Sequence, residues 1–228
     1  MAKHKVFLGV GHGGSDPGAV VYIREADINL KMAQACRAYL EKHDVKVLMS
    51  RYKDENDDLN EEIRECNAFD PDLAVDVHNN AGKGDGFEAY HSINGGVGKT
   101  LAQNIEAEVK KIGQNSRGVK TKKNSAGKDY FGFIRLTKCP AVITEGVFVD
   151  NKADAAQADT DAECKAFGEA YARGILKTLG IKDNGSAAQD DGKIYRVQVG
   201  AYAKKENAEA MKQKLIKEGK DAIIVTKE

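Results

Sequence analysis

Short apolar runs that alternate with segments of helical periodicity constrain the fold of this chain more than any other feature of its sequence. A continuous apolar run of about five residues predicts a strand buried on both faces, and apolar side chains spaced three or four apart predict an amphipathic helix. Strands that alternate with helices favour the α/β class, with a mostly parallel twisted sheet and helices on both faces. Strands are predicted at residues 6–10, 45–49, 73–77, 86–91 and 140–144, and helices at about residues 26–40, 59–69, 97–112 and 163–179.

The loop after the first predicted strand, GVGHGGSDPG, has the glycine spacing of a dinucleotide-binding fingerprint. That fingerprint requires a helix that begins directly after the glycines and an acidic residue about twenty positions further on. Residues 15–18 are turn formers instead, and the helical pattern begins only at Ala26. A phosphate cradle is therefore rejected, and His12 within the loop requires another explanation.

Four polar residues follow or flank the predicted strands: His12, Glu25, His78 and Glu145. In an open parallel sheet the carboxyl ends of the strands meet at one edge, so these side chains are expected to share a crevice. Two imidazoles and one carboxylate supply three ligands to a divalent metal and leave a fourth position for water, as in catalytic zinc sites, where the pKa of the water falls to about 7. Glu145 is then placed to orient that water and to transfer its proton.

Taken singly, each of these residues also has a structural explanation. A histidine in a glycine-rich loop bonds to backbone carbonyls, a histidine before two asparagines forms a turn, and an acid in the first turn of a helix interacts with the helix dipole. Their joint position at predicted strand ends favours a shared site. Glu88 is the alternative to Glu145 as the base, and His43 and His91 are predicted to have structural roles.

Composition excludes several classes of protein. Thirty-five basic and thirty-five acidic residues give zero net charge, which gives no reason to expect nucleic acid or a membrane surface as a partner. The first apolar run is too short for a signal-peptide core, so the sequence predicts a product made in the cytoplasm without a signal peptide, or a chain that has lost its leader. The cysteines show no paired spacing and are predicted to be buried free thiols; they are Cys36, Cys66, Cys139 and Cys164.

The last part of the chain predicts a small second unit. The stretch DNGSAAQDDG has almost no large apolar side chain, which is typical of a linker, placed here at residues 181–192. Beyond it, residues 193–228 predict a strand at 194–199, a helix at about 204–218 and a strand at 222–225. Such a βαβ unit buries too little surface to be stable alone. The main domain is accordingly predicted at residues 1–180.

Six short motifs follow one another along the main domain: GHGGSDPGA, READINLKMA, Ser50-Arg51, VDVHNNA, GFEAYH and ITEGVFVDN. As a set they resemble the zinc-dependent N-acetylmuramoyl-L-alanine amidases, peptidoglycan hydrolases of bacteria and phages, over roughly residues 5–180. The resemblance implies that His12, Glu25 and His78 bind zinc and that Glu145 is catalytic. It also implies cleavage of the amide between the lactyl group of N-acetylmuramic acid and L-alanine. Asn79 and the segment SAGKDYFGFIRLTKCP depart from the usual motifs.

The tail resembles the first half of a SPOR repeat, a fold that binds glycan strands stripped of their stem peptides. Because only one βαβ half is present, we expect two chains to pair their halves into a homodimer with a shared wall-binding unit. Bacterial peptidoglycan is the expected partner of both units.

Three other functions remain open at this point. A zinc carboxypeptidase or a deacetylase would use the same kinds of ligand, and a wall-binding protein with an inactive site would retain the fold without the chemistry. Among amidases, the sequence favours a phage endolysin, which acts on the wall after release, over a bacterial autolysin or a sporulation or germination enzyme.

Overall fold

The computed structural model of the protein describes residues 3–183, 200, 202, 204–217 and 224. The chain divides into two compact units, Met1–Ser186 and Ala187–Glu228. The elements are β1 (His4–Val10), α1 (Glu25–Glu41), β2 (Val45–Met49), α2 (Leu59–Phe69), β3 (Leu73–Asn80), β4 (Phe87–His91), α3 (Gly96–Lys111), β5 (Ser116–Lys120), α4 (Gly132–Leu136), β6 (Ala141–Phe148), α5 (Lys152–Ala155), α6 (Asp161–Leu179) and α7 (Lys205–Lys217).

The first unit is built on a six-stranded sheet with the strand order β2-β1-β3-β6-β4-β5. The first four strands in this order are parallel, β4 is antiparallel to β6, and β5 is parallel to β4. The prediction of a mostly parallel α/β sheet is confirmed. The strand β5 is not predicted by the sequence, because its residues SRGVK are half-exposed and lack an apolar run.

Successive side chains on a strand point to opposite faces, so each strand contributes to two cores. On β3, Leu73, Val75 and Val77 belong to a large core, whereas Ala74 belongs to a small one. The helices α1, α3 and α6 cover the large face. Close approach of α6 to α1 depends on Gly168, where a Cβ atom would lie 2.2 Å from the carbonyl oxygen of Met32.

The small face carries the shorter helices α2 and α4. Its core contains Phe7, Ile63, Phe133 and Ile143. Polar residues at the carboxyl ends of the strands share this face, because Asp76 and His78 alternate with the apolar residues of β3. The two faces therefore differ: one is a thick apolar layer, and the other combines a thin core with polar groups.

The predictions for the cysteines and for the second unit are met in part. The cysteines are free; Cys139 is half-buried and the other three are buried. The predicted helix of the second unit is present as α7. The predicted strand at 194–199, residues 184–192 of the predicted linker, and all of the strand predicted at 222–225 except residue 224 lie outside the described residues. Within the described part of the chain, no helix is long and apolar enough to cross a membrane.

Candidate active site

Three of the residues singled out in the sequence meet at one point. His12 follows β1, Glu25 is the first residue of α1, and His78 lies near the end of β3. One ligand atom from each lies within 4.8 Å of the others. The Glu25 Oε1 atom is 3.2 Å from His12 Nε2 and 3.2 Å from His78 Nδ1. A single carboxylate oxygen thus contacts both imidazoles.

The glycines of the first loop give these side chains room. A Cβ atom at Gly11 would lie 2.1 Å from Cε1 of His78, and one at Gly18 would lie 2.6 Å from Oε2 of Glu25. His12 itself has a φ of 64°, an uncommon backbone conformation for a residue with a side chain. The glycine-rich loop is therefore explained by close packing around the histidines and the carboxylate.

Two aspartates that were not among the predicted site residues, Asp16 and Asp76, hold the imidazoles in place. His12 Nδ1 is 2.8 Å from Asp16 Oδ2, and His78 Nε2 is 3.4 Å from Asp76 Oδ2. Each aspartate accepts from one ring nitrogen, so the other nitrogen faces Glu25. The sequence does indicate a special role for Asp76, since a charged residue in the buried strand LAVDVH requires a partner.

Electrostatics at the triad follow from these contacts. The hydrogen bond to Glu25 raises the pKa of His12, against the effect of burial. Burial alone would raise the pKa of Glu25, but the hydrogen bonds from His12 and His78 outweigh it and lower that pKa below its usual range. Burial opposes charge on His78, yet Asp76 and Glu25 together raise its pKa. The carboxylate of Glu25 is therefore ionised and available as a ligand.

Arg51 fixes the loop and helix that carry two of the three residues. Its side chain is 1% exposed, and its guanidinium donates to the carbonyl oxygens of Val10, Gly11 and Ala26 at 3.0, 3.2 and 2.8 Å. The guanidinium thus joins the end of β1 to the first turn of α1. In the sequence Arg51 stands out only as part of the Ser50-Arg51 motif.

Glu145 lies beside the triad on the sheet. It pairs in register with His78 of β3 and with Glu88 of β4. Both β3 and β6 run past the predicted ends, to Asn80 and Phe148, because pairing resumes after a register shift. The prediction that His78 and Glu145 terminate their strands is therefore wrong. Both side chains project from one face of the sheet and not from its edge.

The carboxyl group of Glu145 has a free buried oxygen. Among the described residues, nothing hydrogen-bonds to its Oε2 atom. Burial, reinforced by the nearby carboxylates of Glu25, Asp76 and Glu88, raises the pKa of Glu145 to about 7, although His78 acts in the opposite direction. A group with these properties can accept and release a proton near neutral pH.

Glu88, the alternative base, is already engaged by cations. Its Oε1 atom lies 2.5 Å from Arg117 Nε and 2.5 Å from Lys120 Nζ, and its Oε2 atom accepts from Tyr90 at 3.0 Å. Burial raises the pKa of Glu88, but these partners outweigh it and the pKa is lowered. Glu88 is thus a poor proton acceptor compared with Glu145.

The two histidines that the sequence predicts to be structural, His43 and His91, lie apart from the triad. His43 stacks on the ring of Tyr39, with ring centroids 5.1 Å apart. The Nδ1 atom of His91 is 2.8 Å from the carbonyl oxygen of Ser92. These contacts are those of structural side chains.

A cleft of about 330 Å³ opens beside the triad. Acidic side chains and the aromatic residues at the start of α4 line it. The lining residues include His12, Asp16, Asp57, Asp58, Leu59, Glu62, Asp76, His78, Phe131, Phe133 and Ile143. A substrate that enters this cleft reaches the imidazoles directly.

The chain is similar to known peptidoglycan enzymes. A sequence model of the N-acetylmuramoyl-L-alanine amidase family matches residues 6–177, and a model of the SPOR domain matches residues 169–228. The chain is 32% identical to the N-acetylmuramoyl-L-alanine amidase CwlM of Bacillus licheniformis over 226 residues, 97% of this chain and 84% of that protein. It is 36% identical to the endolysin of Bacillus phage SPP1 over 200 residues, 82% of this chain and 71% of that protein.

A solved structure shows the same fold. Cwp6 from Clostridium difficile superposes with a TM-score of 0.75 at 34% identity, over 77% of this chain and 29% of that chain. The matched family region includes all the elements that carry His12, Glu25, His78 and Glu145.

Proposed function

The chain belongs to the N-acetylmuramoyl-L-alanine amidase family of peptidoglycan-hydrolysing enzymes, and from that premise we propose a zinc-dependent mechanism for its own residues. The bond cleaved is the amide between the lactyl group of N-acetylmuramic acid and the L-alanine of the stem peptide. The observation that carries the mechanism is the convergence of three ligand atoms within 4.8 Å, beside a carboxyl group with a free buried oxygen.

The donor set fits zinc. His12 Nε2, His78 Nδ1 and a Glu25 oxygen would hold the ion, and two imidazoles with one carboxylate are a common set of protein ligands in catalytic zinc sites. When bound, such an ion polarises the amide carbonyl and lowers the pKa of water beside it. Asp16 and Asp76 keep the ligating nitrogens turned toward the ion by accepting from the opposite ring nitrogens.

Proton transfer is assigned to Glu145. Its unpartnered Oε2 atom accepts a proton from the attacking water and returns that proton to the alanine nitrogen as the amide breaks. The pKa near 7 suits both steps, since a proton acceptor whose pKa is close to the working pH also serves as a donor. Glu88 contributes a fixed negative charge next to it rather than a second base.

The test is metal removal combined with product analysis. Dialysis against a chelator is expected to abolish the loss of turbidity of purified cell walls, and added Zn²⁺ is expected to restore it. Mass spectrometry should find a free lactyl carboxylate and a new amino group on L-alanine. Release of a terminal amino acid would indicate a carboxypeptidase, release of acetate a deacetylase, and binding without turbidity loss an inactive wall-binding protein.

For the tail, we propose that residues 193–228 bind glycan strands and pair with a second chain, after a main domain of residues 1–180 and a linker of residues 181–192. The SPOR match to residues 169–228 supports wall binding. Homodimer formation rests on the half-repeat pattern alone. Sedimentation of the full chain is expected to give a dimer, and a monomer at micromolar concentration would contradict this part of the proposal.

The biological role is proposed to be that of a phage endolysin, in keeping with the 36% identity to a phage enzyme. A sporulation-specific amidase of Bacillus subtilis is similar to a comparable degree, at 31% identity, so a bacterial wall-remodelling role is the alternative. Expression in a Gram-positive host separates the two: an endolysin lyses cells only after the membrane is permeabilised, whereas an exported autolysin acts without that treatment.

A further inference from the structure

A row of charged side chains crosses the sheet at the level of the active site. His78, Glu145 and Glu88 are register partners on the adjacent strands β3, β6 and β4. Residues directly paired across strands project from the same face, so the three side chains stand side by side. Beyond Glu88 lies the edge strand β5, from which Arg117 and Lys120 reach back over the sheet. The row therefore ends in two cations.

The positive charges of Arg117 and Lys120 outnumber the single negative charge of Glu88. Glu88 is 3% exposed and carries one negative charge, whereas Arg117 and Lys120 bring two positive charges to the same carboxylate oxygen. The two cations are accessible, since their side chains are 46% and 31% exposed. Arg117 contacts Glu88 through Nε alone, and no other described residue hydrogen-bonds to its two terminal nitrogens. One positive charge and a free guanidinium edge remain beside Glu145.

Side-chain contacts link Glu88, which both cations contact, to the wall of the cleft. Tyr90 donates to Glu88, and its ring lies 4.8 Å from that of Phe131, which lines the cleft. The guanidinium plane of Arg117 also lies 5.5 Å from the ring of Phe148. Both cations contact Glu88, which is the direct cross-strand neighbour of Glu145, so a ligand that reaches Glu145 comes close to them.

We propose that Arg117 and Lys120 form a subsite for a carboxylate of the stem peptide, a role that rests on the proposed amidase function. A guanidinium edge binds carboxylates through paired hydrogen bonds, and a neighbouring ammonium adds charge. In peptidoglycan the residue after L-alanine is a D-glutamate linked through its side chain, which leaves its α-carboxyl group either free or amidated. The subsite recognises the free carboxylate one residue beyond the bond that is cleaved.

A purely structural role would need only one of the two cations. With Arg117→Met, Glu88 keeps Lys120 and the hydroxyl of Tyr90 as partners, so its buried charge remains compensated. The variant is therefore expected to fold and to show a defect that depends on the substrate. Lys120→Met is the second variant, because it leaves Arg117 and Tyr90 on Glu88.

The experiment compares two soluble muramyl peptides that differ only in the α-group of the D-glutamate, which is a carboxylate in one and a primary amide in the other. For the wild type we expect kcat/KM to be about tenfold higher on the carboxylate form, mainly through KM, the size of one charge-assisted hydrogen bond. Arg117→Met should bring this ratio close to one, and Arg117→Lys should leave an intermediate ratio. Lys128→Met, at an exposed lysine on the segment after β5, is the control and should keep the wild-type ratio.

A wild-type ratio close to one, or a full ratio in either Arg117→Met or Lys120→Met, would overturn the subsite. Failure of the wild type to cleave either peptide would instead overturn the proposed function and the subsite with it. Because the amide form lacks the charge, its cleavage reports on the amidase reaction separately from the subsite.

Discussion

Replacement of the two aspartates behind the histidines tests whether burial or distance decides how strongly a carboxylate supports a zinc ligand. Asp16 makes the shorter contact, 2.8 Å to His12, but its side chain is 69% exposed. Asp76 makes the longer one, 3.4 Å to His78, with a side chain only 4% exposed. Asparagine at either position keeps the shape and an acceptor oxygen and removes only the charge.

The magnitudes favour burial. A zinc-ligating imidazole is neutral and is polarised by the metal, so unit charges serve only to compare the two surroundings. Unit charges 2.8 Å apart in water interact by about 1.5 kcal/mol, whereas at 3.4 Å and an effective dielectric constant of 20 the interaction is about 5 kcal/mol. Loss of such a partner typically weakens metal binding by about tenfold to a hundredfold. We therefore expect Asp76→Asn to raise the zinc dissociation constant by nearly a hundredfold and Asp16→Asn by tenfold or less.

Competition with a chromophoric chelator at constant pH measures both dissociation constants. Thermal unfolding of the metal-free proteins checks that each variant folds. Asp161→Asn is the matched control, since Asp161 is an exposed carboxylate paired with Lys31 on the large face, and its zinc affinity should equal that of the wild type. An Asp16→Asn loss as large as that of Asp76→Asn would refute the argument from burial.

Four further predictions concern catalysis, zinc binding and stability. Glu145→Gln should keep zinc and lower kcat by at least about a hundredfold, because the proton acceptor is lost; full activity would refute the assignment. Gly11→Ala should weaken zinc binding, because its Cβ atom would lie 2.1 Å from the ring of His78. Gly98→Ala should instead raise stability by about 0.5–1 kcal/mol in thermal melts, because Gly98 lies in helix α3 and the nearest atom to its added Cβ would be 3.4 Å away. Asp154→Ala should lower the free energy of unfolding by about 3 kcal/mol in denaturant titrations, because two buried backbone N–H groups lose their acceptor; a change below about 1 kcal/mol would contradict this.

The elements with clear periodicity were predictable from the sequence, and the elements that depend on tertiary contacts were not. The strand at 45–49 and the helix at 59–69 have the predicted bounds, since their apolar residues repeat with one period and polar residues end them. The short helix α4 and the edge strand β5 have no such pattern. The antiparallel direction of β4 depends on how the chain returns to the sheet, which no local pattern encodes.

The candidate site shows the same division. The rule that the carboxyl ends of parallel strands meet at one edge of the sheet was sufficient to predict that His12, Glu25 and His78 lie close together. The partners of these residues could not be assigned in that way. Asp76 is a conspicuous charge in an apolar strand, but only the folded chain shows that it faces His78.

The unequal faces of the sheet matter for protein engineering. Two helices of the apolar layer, α3 and α6, contribute no residue to the triad, so substitutions that improve their packing can raise heat tolerance without disturbing the metal ligands. Residues of α2 and α4 that line the cleft are the positions at which to change substrate selectivity, because their replacement alters which wall fragments enter the cleft. The apolar layer on the opposite face of the sheet preserves the fold in such variants.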